Sequence, residues 1–305
     1  MCTVIAMQKT GCFGRTLDLE YHYNETMTVL PQGTVLSFRC LPQCATRYAL
    51  LGVAAVQQGQ FLLYDAINEA GLYCAALNFP HSAAYLPTAH GFDNLASFEV
   101  IPWILSQCAT VSEARTLLAR ARVTSIPFSA SLPPTPLHWF VADSHESIAV
   151  EPLTDGLHVT DDPVCVLTNE PPLPMQLSQL QTFCHLTAEP AVNRFAPSLP
   201  LTPHSRGLGA VGLPGDWSSP SRFVRAAFVC ANAQPDGDGV TQCFHALHAV
   251  AVPRGCIRPG EGKPPVSTVY TACYDAVAGR LHCTTCDDLT VRSLSFAQGG
   301  TIPLF

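Results

Sequence analysis

The stretch MCTVIAMQKTGCFGRTLDLE, residues 1–20, sets a cysteine directly behind the initiator methionine and places an arginine and an aspartate three residues apart soon after it. CTVIAM is rich in residue types that pack on a pleated surface, so Cys2 reads first as a small apolar residue opening a β-strand. Its position adds a second reading. Methionine is normally trimmed before a small residue, which would leave Cys2 carrying a thiol and a free α-amine together. Reference values of about 8.5 for a cysteine thiol and about 7.7 to 8.0 for an α-amine bring proton transfer between two such groups close to balance. A terminal amine can activate a nucleophile in this way. That chemistry requires Met1 to leave.

The rest of the chain is compatible with a large folded core. Of its 305 residues 48% are apolar and only 13% charged, which excludes extended disorder. The net charge of −7 and pI near 5.8 give no electrostatic footprint for nucleic acid or an anionic membrane. The longest apolar runs, such as YALLGVAAV (48–56), fall well short of the roughly 18 residues a membrane helix needs. No basic region followed by a long apolar core opens the chain, so no signal peptide and a cytoplasmic location are expected.

Fourteen cysteines are spread through the chain, and Cys74, Cys108, Cys165 and Cys230 sit in apolar stretches, so buried free thiols are expected over a disulfide scaffold. CTTC (283–286) has metal or redox spacing without a second comparable pair, and HALH (245–248) fits a packed helix face. No metal and no cofactor are expected.

Short β-prone stretches dominate: CTVIAMQ, TMTVL, YALLGVAAV, LYCAALNF, LHWFVAD, SIAVEP, VCVLT, STVYTACY and RLHCTT. Hairpin-like gaps such as DSHE and DAVAG separate neighbours, which implies antiparallel sheets. Thr110 to Glu113 fits a capping box ahead of a helix, and DWSSPSRFVRAAFVCANA and VTQCFHALHAVAV read as two more. Residues 171–203 and 255–265 read as irregular. The expected class is α+β in one domain, residues 2–305.

Several polar residues stand where packing alone would favour apolar ones. Arg15 and Asp18 of GRTLD could form an ordinary salt bridge. Asn78 of LNFP and Asn169 of VLTNEP could serve turns. Arg222 and Arg225 of SRFVR have the spacing of a solvated helix face. Taken together, MCT, GRTLD, YDAINEAGLYCAALNFP, LHWFVAD, VLTNEP and GLGAVGLPGDWSSPSRFVRAAF resemble the choloylglycine hydrolase family in order and spacing, over nearly the whole chain. That family contains bile salt hydrolases and penicillin V acylases.

The resemblance implies an N-terminal nucleophile hydrolase fold, an αββα sandwich of two antiparallel sheets between helical layers, assembled as a homotetramer. It matches Cys2 to the nucleophile, Arg15 and Asp18 to the pair beside it, Asn78 and Asn169 to the asparagines near the oxyanion site, and Arg222 to the arginine of the SRF motif. Arg15 would favour the thiolate, Asp18 would accept from the α-amine, and Arg222 would brace the cluster. Leu17, Leu63, Tyr64, Phe128 and Leu132 match the apolar wall of the acyl pocket. Asparagine at position 78 points to glycine- or taurine-conjugated bile acids, since penicillin V acylases tend to carry tyrosine there. The alternatives are a penicillin V acylase, another N-acyl amide hydrolase or acyltransferase, or a non-catalytic steroid- or metal-binding protein. Ser205 and the bulky Tyr64 depart from the family pattern and bear on substrate preference.

Overall fold

Every residue of CTVIAM is buried, as are the first six of LLGVAAVQ. Strands covered on both faces need apolar side chains on both, which is why these segments read as unbroken apolar runs without alternation. In the computed structural model, which describes residues 1–234 and 237–305, the covering on one face is a second sheet and on the other a helical layer.

The strands are β1 (Cys2–Met7), β2 (Cys12–Leu19), β3 (Thr26–Leu30), β4 (Val35–Leu36), β5 (Cys44–Ala45), β6 (Leu50–Gln57), β7 (Gln60–Asn68), β8 (Tyr73–Asn78), β9 (Asp93–Ala96), β10 (Ala121–Thr124), β11 (Leu137–Ala142), β12 (Ser147–Leu153), β13 (Gly156–Asp161), β14 (Val166–Leu167), β15 (Ser267–Asp275), β16 (Arg280–Thr285), β17 (Arg292–Ser295) and β18 (Thr301–Pro303). The helices are α1 (Val100–Leu105), α2 (Val111–Leu118), α3 (Leu173–Leu180), α4 (Ser219–Asn232) and α5 (Gly239–His248). A six-stranded sheet runs β14-β1-β2-β15-β16-β17, and an eight-stranded sheet runs β13-β12-β11-β8-β7-β6-β3-β18. Both are antiparallel throughout, and among the described residues only the small β9–β10 pair is parallel.

Two apolar clusters give the four layers. One joins the facing sides of the sheets and continues to α4 and α5, with Phe13 of β2 stacked on Tyr73 of β8 at 5.4 Å. The other lies on the far side of the eight-stranded sheet, where Trp139, Val141 and Ile148 meet Val100, Ile104 and Val111 of α1 and α2. Gly14 lets β2 press against α5, since a Cβ there would stand 2.6 Å from Ala272 O and 2.7 Å from Cys243 Sγ. The expected αββα sandwich is present.

Thr110 caps α2 by accepting from the Glu113 N–H at 3.2 Å, while the Glu113 carboxylate reaches Ala109 N at 2.7 Å, one residue beyond the box. The segment 171–203 is not wholly irregular, because Leu173–Leu180 is helical. Pro172 and Pro174 sit at its N-cap and first turn, where a missing N–H costs nothing. The third expected helix stops at His248. Beyond it Val252 N donates to Thr268 Oγ1 at 2.8 Å, and Val252 O accepts from Thr268 N at 2.9 Å. Arg222 and Arg225 face inward and are 0% and 9% exposed, contrary to a solvated helix face. β2 and β7 were hidden from the β-prone pattern by their buried charges, Arg15, Asp18 and Asp65. All fourteen cysteines are free, with Cys74 and Cys108 buried and Cys165 and Cys230 half-buried.

Candidate active site

Cys2 pairs with Leu17 and Val4 with Arg15 across β1 and β2. Facing residues of an antiparallel pair project to one side and neighbours alternate, so Cys2, Arg15 and Leu17 share the face toward the second sheet. Thr3, Thr16 and Asp18 share the opposite face, toward α4. The expected Arg15–Asp18 salt bridge therefore does not form.

Arg15 is fully buried. Its Nη2 donates to Cys2 Sγ at 2.8 Å, and its Nη1 donates to the carbonyls of Tyr64 and Ala76, each at 3.0 Å. The Tyr64 carbonyl is available because β7 bulges there. Val53 pairs with Asp65 and Ala54 with Leu63, which leaves Tyr64 as the extra residue, off the ladder. Asp65 Oδ1 lies 3.5 Å from Arg15 Nη1, and the hydroxyls of Tyr270 and Tyr274 donate to the two carboxylate oxygens. Burial pushes the Asp65 carboxyl up, against the opposing pull of Arg15 and the two tyrosines. Burial works against charge on Arg15 as well, but Tyr270, Cys2 and Asp65 outweigh it and hold the guanidinium well above its ordinary range.

From the α4 side, Arg222 holds the backbone of Cys2. Its Nη1 donates to Cys2 O at 2.5 Å and to Thr3 Oγ1 at 2.7 Å, its Nη2 to Asn169 Oδ1 at 2.7 Å, and its Nε to Trp217 O at 3.0 Å. Burial lowers its pKa, while Asp18 and Cys2 oppose that shift. Asp18 Oδ2 is 3.8 Å from Arg222 Nη1, and Asp18 Oδ1 accepts from Thr268 Oγ1 at 2.6 Å beside a second bulge, between Thr268 and Tyr270.

Asn169 Oδ1 accepts from both Cys2 N, at 2.9 Å, and Arg222, so two donors fix which end of the carboxamide is oxygen. Its Nδ2 donates to Asn78 O at 2.8 Å. Asn78 stands on an open strand edge, because the β7–β8 ladder ends at Asp65↔Ala75. A strand residue points its N–H and C=O to the same side, so the Asn78 N–H lies on the edge where its carbonyl meets Asn169. Phe79 N is taken by Pro136 O at 2.8 Å. Five of the six expected catalytic residues thus join through direct contacts, and Asp18 adjoins them through Arg222. Met1 extends the ladder, with its carbonyl accepting from Asp18 N at 2.8 Å. Among the described residues no group of three His, Cys, Asp or Glu side chains is placed to hold a metal, and Cys283 is buried while Cys286 is exposed.

Residues 2–299 match the family model of linear amide C–N hydrolases of the choloylglycine hydrolase type. The chain belongs to the choloylglycine hydrolase family. It is therefore an amidase of the N-terminal nucleophile fold, acting on linear amides. It is 40% identical over 299 residues to a bile salt hydrolase/transferase of Lactiplantibacillus plantarum, covering 97% of this chain and 92% of that one. It is 34% identical over 301 residues to a conjugated bile acid hydrolase of Lactobacillus acidophilus, covering 96% and 95%. A crystal structure of the Clostridium perfringens conjugated bile acid hydrolase superposes with a TM-score of 0.91 at 29% identity, over 99% of this chain and 96% of that one. Penicillin V acylase from Agrobacterium tumefaciens shares the fold, with a TM-score of 0.78 at 18% identity over 100% and 91% of the two chains.

Within this choloylglycine hydrolase frame the expected pocket wall divides. Leu17 and Tyr64 pack in the same cluster as Cys2, whereas Leu63 points to the far side of β7 among the residues under α1. Phe128 is held by Arg39, whose Nη2 donates to its carbonyl, and lies edge-on to Phe98 at 5.2 Å; Leu132 closes the same turn. Asp65, Tyr270 and Tyr274 were absent from the expected set. The one available signal was an aspartate set in the apolar run FLLYDAIN.

Proposed function

We propose that the chain hydrolyses the amide bond of glycine- or taurine-conjugated bile acids through a thioester on Cys2. The observation that carries this reading is the double hold on one residue: Arg15 Nη2 on the sulfur at 2.8 Å and Asn169 Oδ1 on the nitrogen at 2.9 Å. Asparagine at position 78 and bile acid hydrolases as relatives support the substrate class.

Release of Met1 turns the Cys2 amide into an amine and vacates the rung that Met1 occupies against Asp18. The amine takes the thiol proton, Arg15 stabilises the thiolate, and the sulfur attacks the amide carbon. The oxyanion meets the Asn78 N–H and the second N–H of Asn169 Nδ2, where a single donor is typically worth about 2.7 to 4 kcal/mol. The ammonium of Cys2 gives its proton to the departing glycine or taurine nitrogen as the C–N bond breaks. Water, deprotonated by the same amine, then attacks the thioester, releasing bile acid and restoring the thiol. Leu17 and Tyr64 are the nearest expected wall residues for the steroid.

The chain is read as one domain, residues 2–305, working as a homotetramer in the cytoplasm. Phe195, 87% exposed, stands with Val192, Leu199, Leu201 and Val211 in an extended segment between α3 and α4, which suits a subunit contact. No described helix is long and apolar enough to cross a membrane, and free thiols suit a reducing compartment.

Intact-mass measurement before and after exposure to glycocholate and taurocholate, with release of free cholate followed in parallel, tests the reading. Loss of Met1, a cholyl adduct on Cys2 and no release by Cys2→Ala are expected. Cleavage of penicillin V with a higher kcat/KM than either bile salt would overturn the substrate.

A further inference from the structure

His138 of β11 and Glu151 of β12 stand one rung beyond the Trp139↔Val150 pair and are 0% and 1% exposed. His138 Nδ1 is 3.2 Å from Glu151 Oε1, and its Nε2 is 3.0 Å from the carbonyl oxygen of Thr168. A carbonyl oxygen only accepts, so Nε2 carries a hydrogen. The contact on Nδ1 then needs a second one, on the ring or on the carboxyl. Glu151 uses both oxygens to accept from Leu173 N, at 3.1 and 3.2 Å.

The pair therefore grips both ends of the segment 168–173, which carries Asn169. Inside that segment Asn169 N donates to Ser219 Oγ at 2.8 Å, and Gln176 Nε2 donates to the carbonyls of Asn169 and Pro171 at 3.0 and 2.7 Å. His138 also lies flat against Phe79, ring centroids 4.1 Å apart and planes 4° from parallel. Phe79 follows Asn78, the residue whose carbonyl holds Asn169 Nδ2. One imidazole thus touches the segment that carries Asn169 and the segment that accepts from its Nδ2, while Cys2 N and Arg222 hold the Oδ1 end. A site group placed to within a fraction of an ångström needs neighbours that are themselves locked, and this pair sits on two adjacent strands of the larger sheet, each paired on both sides.

We infer that His138 and Glu151 are positioning residues for amide hydrolysis: from the opposite sheet they set the Asn169 carboxamide against the Cys2 nitrogen and the oxyanion. The inference rests on the proposed role of Asn169. A buried pair that serves stability alone would lower the melting temperature and leave the turnover of folded enzyme intact.

The test compares His138→Phe, which keeps the ring stack and removes both hydrogen bonds, with Glu151→Gln and His138→Gln. For the amide that the wild type cleaves, kcat in His138→Phe falls by about 100-fold, the scale of a misplaced reacting group. KM stays within about threefold, as expected when an interaction specific to the transition state is lost. In an Asn169→Ala background the same change costs less than about threefold more, because the group it positions is gone. His138→Gln, whose amide N–H can reach Thr168 O, recovers part of the loss. Amide hydrogen exchange at residues 168–173 speeds up in His138→Phe, a readout that needs no substrate and so separates this inference from the amidase reading. If His138→Phe does not fold, Glu151→Gln carries the same cycle. Unchanged kcat in a folded variant, or losses that multiply in full with Asn169→Ala, overturns the inference.

Discussion

Arg15 and Asp65 come from facing sheets and form a fully buried ion pair, 3.5 Å apart, whose cation also holds the Cys2 sulfur. The carboxylate is anchored by two tyrosine hydroxyls from a third strand, so the charge beside the thiol is set by β2, β7 and β15 together.

Removing one partner of such a pair leaves the other charged and unsolvated. Asp65→Ala is expected to lower unfolding free energy by about 3 to 5 kcal/mol in chemical denaturation. Asp65→Asn keeps an acceptor for the tyrosines and should cost less. An Asp65→Asn variant as stable as the wild type would show that the charge is immaterial.

Arg15→Met removes the cation from Cys2 and should slow alkylation of that cysteine by iodoacetamide near neutral pH, since an opposite charge favours the thiolate. The check is the alkylation rate of Cys2 in the two folded proteins at one pH, read by mass spectrometry; an unchanged rate would place the activation of sulfur elsewhere.

Asn169 and Asn78 should respond differently to truncation. Asn169→Ala loses a side-chain donor and the acceptor for Cys2 N, and kcat should drop by about 10²- to 10³-fold. Asn78 contributes its backbone, so Asn78→Ala should cost less than about tenfold. Steady-state kinetics on glycocholate decide it, and a matching loss in the two variants would assign the donor to the Asn78 side chain.

Asp162 is almost fully buried beside β14. Burial raises its pKa to about 7, although Val164, Val166 and Cys165 N–H groups pull it down. The native state therefore binds a proton more tightly than the unfolded chain, and the resulting stabilisation is present at low pH and lost as pH rises toward about 7. The melting temperature of Asp162→Asn should fall less than that of wild type between pH 5 and pH 7, roughly the window between the unfolded and folded values. Parallel curves would show that Asp162 does not titrate there.

Much of this molecule was legible in its order of residues. TMTVL and RLHCTT match their strands residue for residue, and the hairpins at DSHE and DAVAG lie where turn-forming residues interrupt apolar runs. Such features depend on local sterics and on burial of both strand faces, which a short window of sequence carries. The candidate nucleophile at position 2 and its expected partners were legible by motif. The helix Leu173–Leu180 was obscured by prolines that are harmless in a first turn.

The partner of each buried charge was decided only by the tertiary structure. Arg15 and Asp18, three apart on one strand, leave it on opposite faces; one meets Asp65 across the inter-sheet space and the other meets Arg222 on a helix. Strand periodicity determines which side a residue faces, but what stands opposite depends on how two sheets and their helices pack. The bulge at Tyr64 and the clamp of His138 and Glu151 on the Asn169 segment arise from that packing, because each joins residues that the chain order keeps apart.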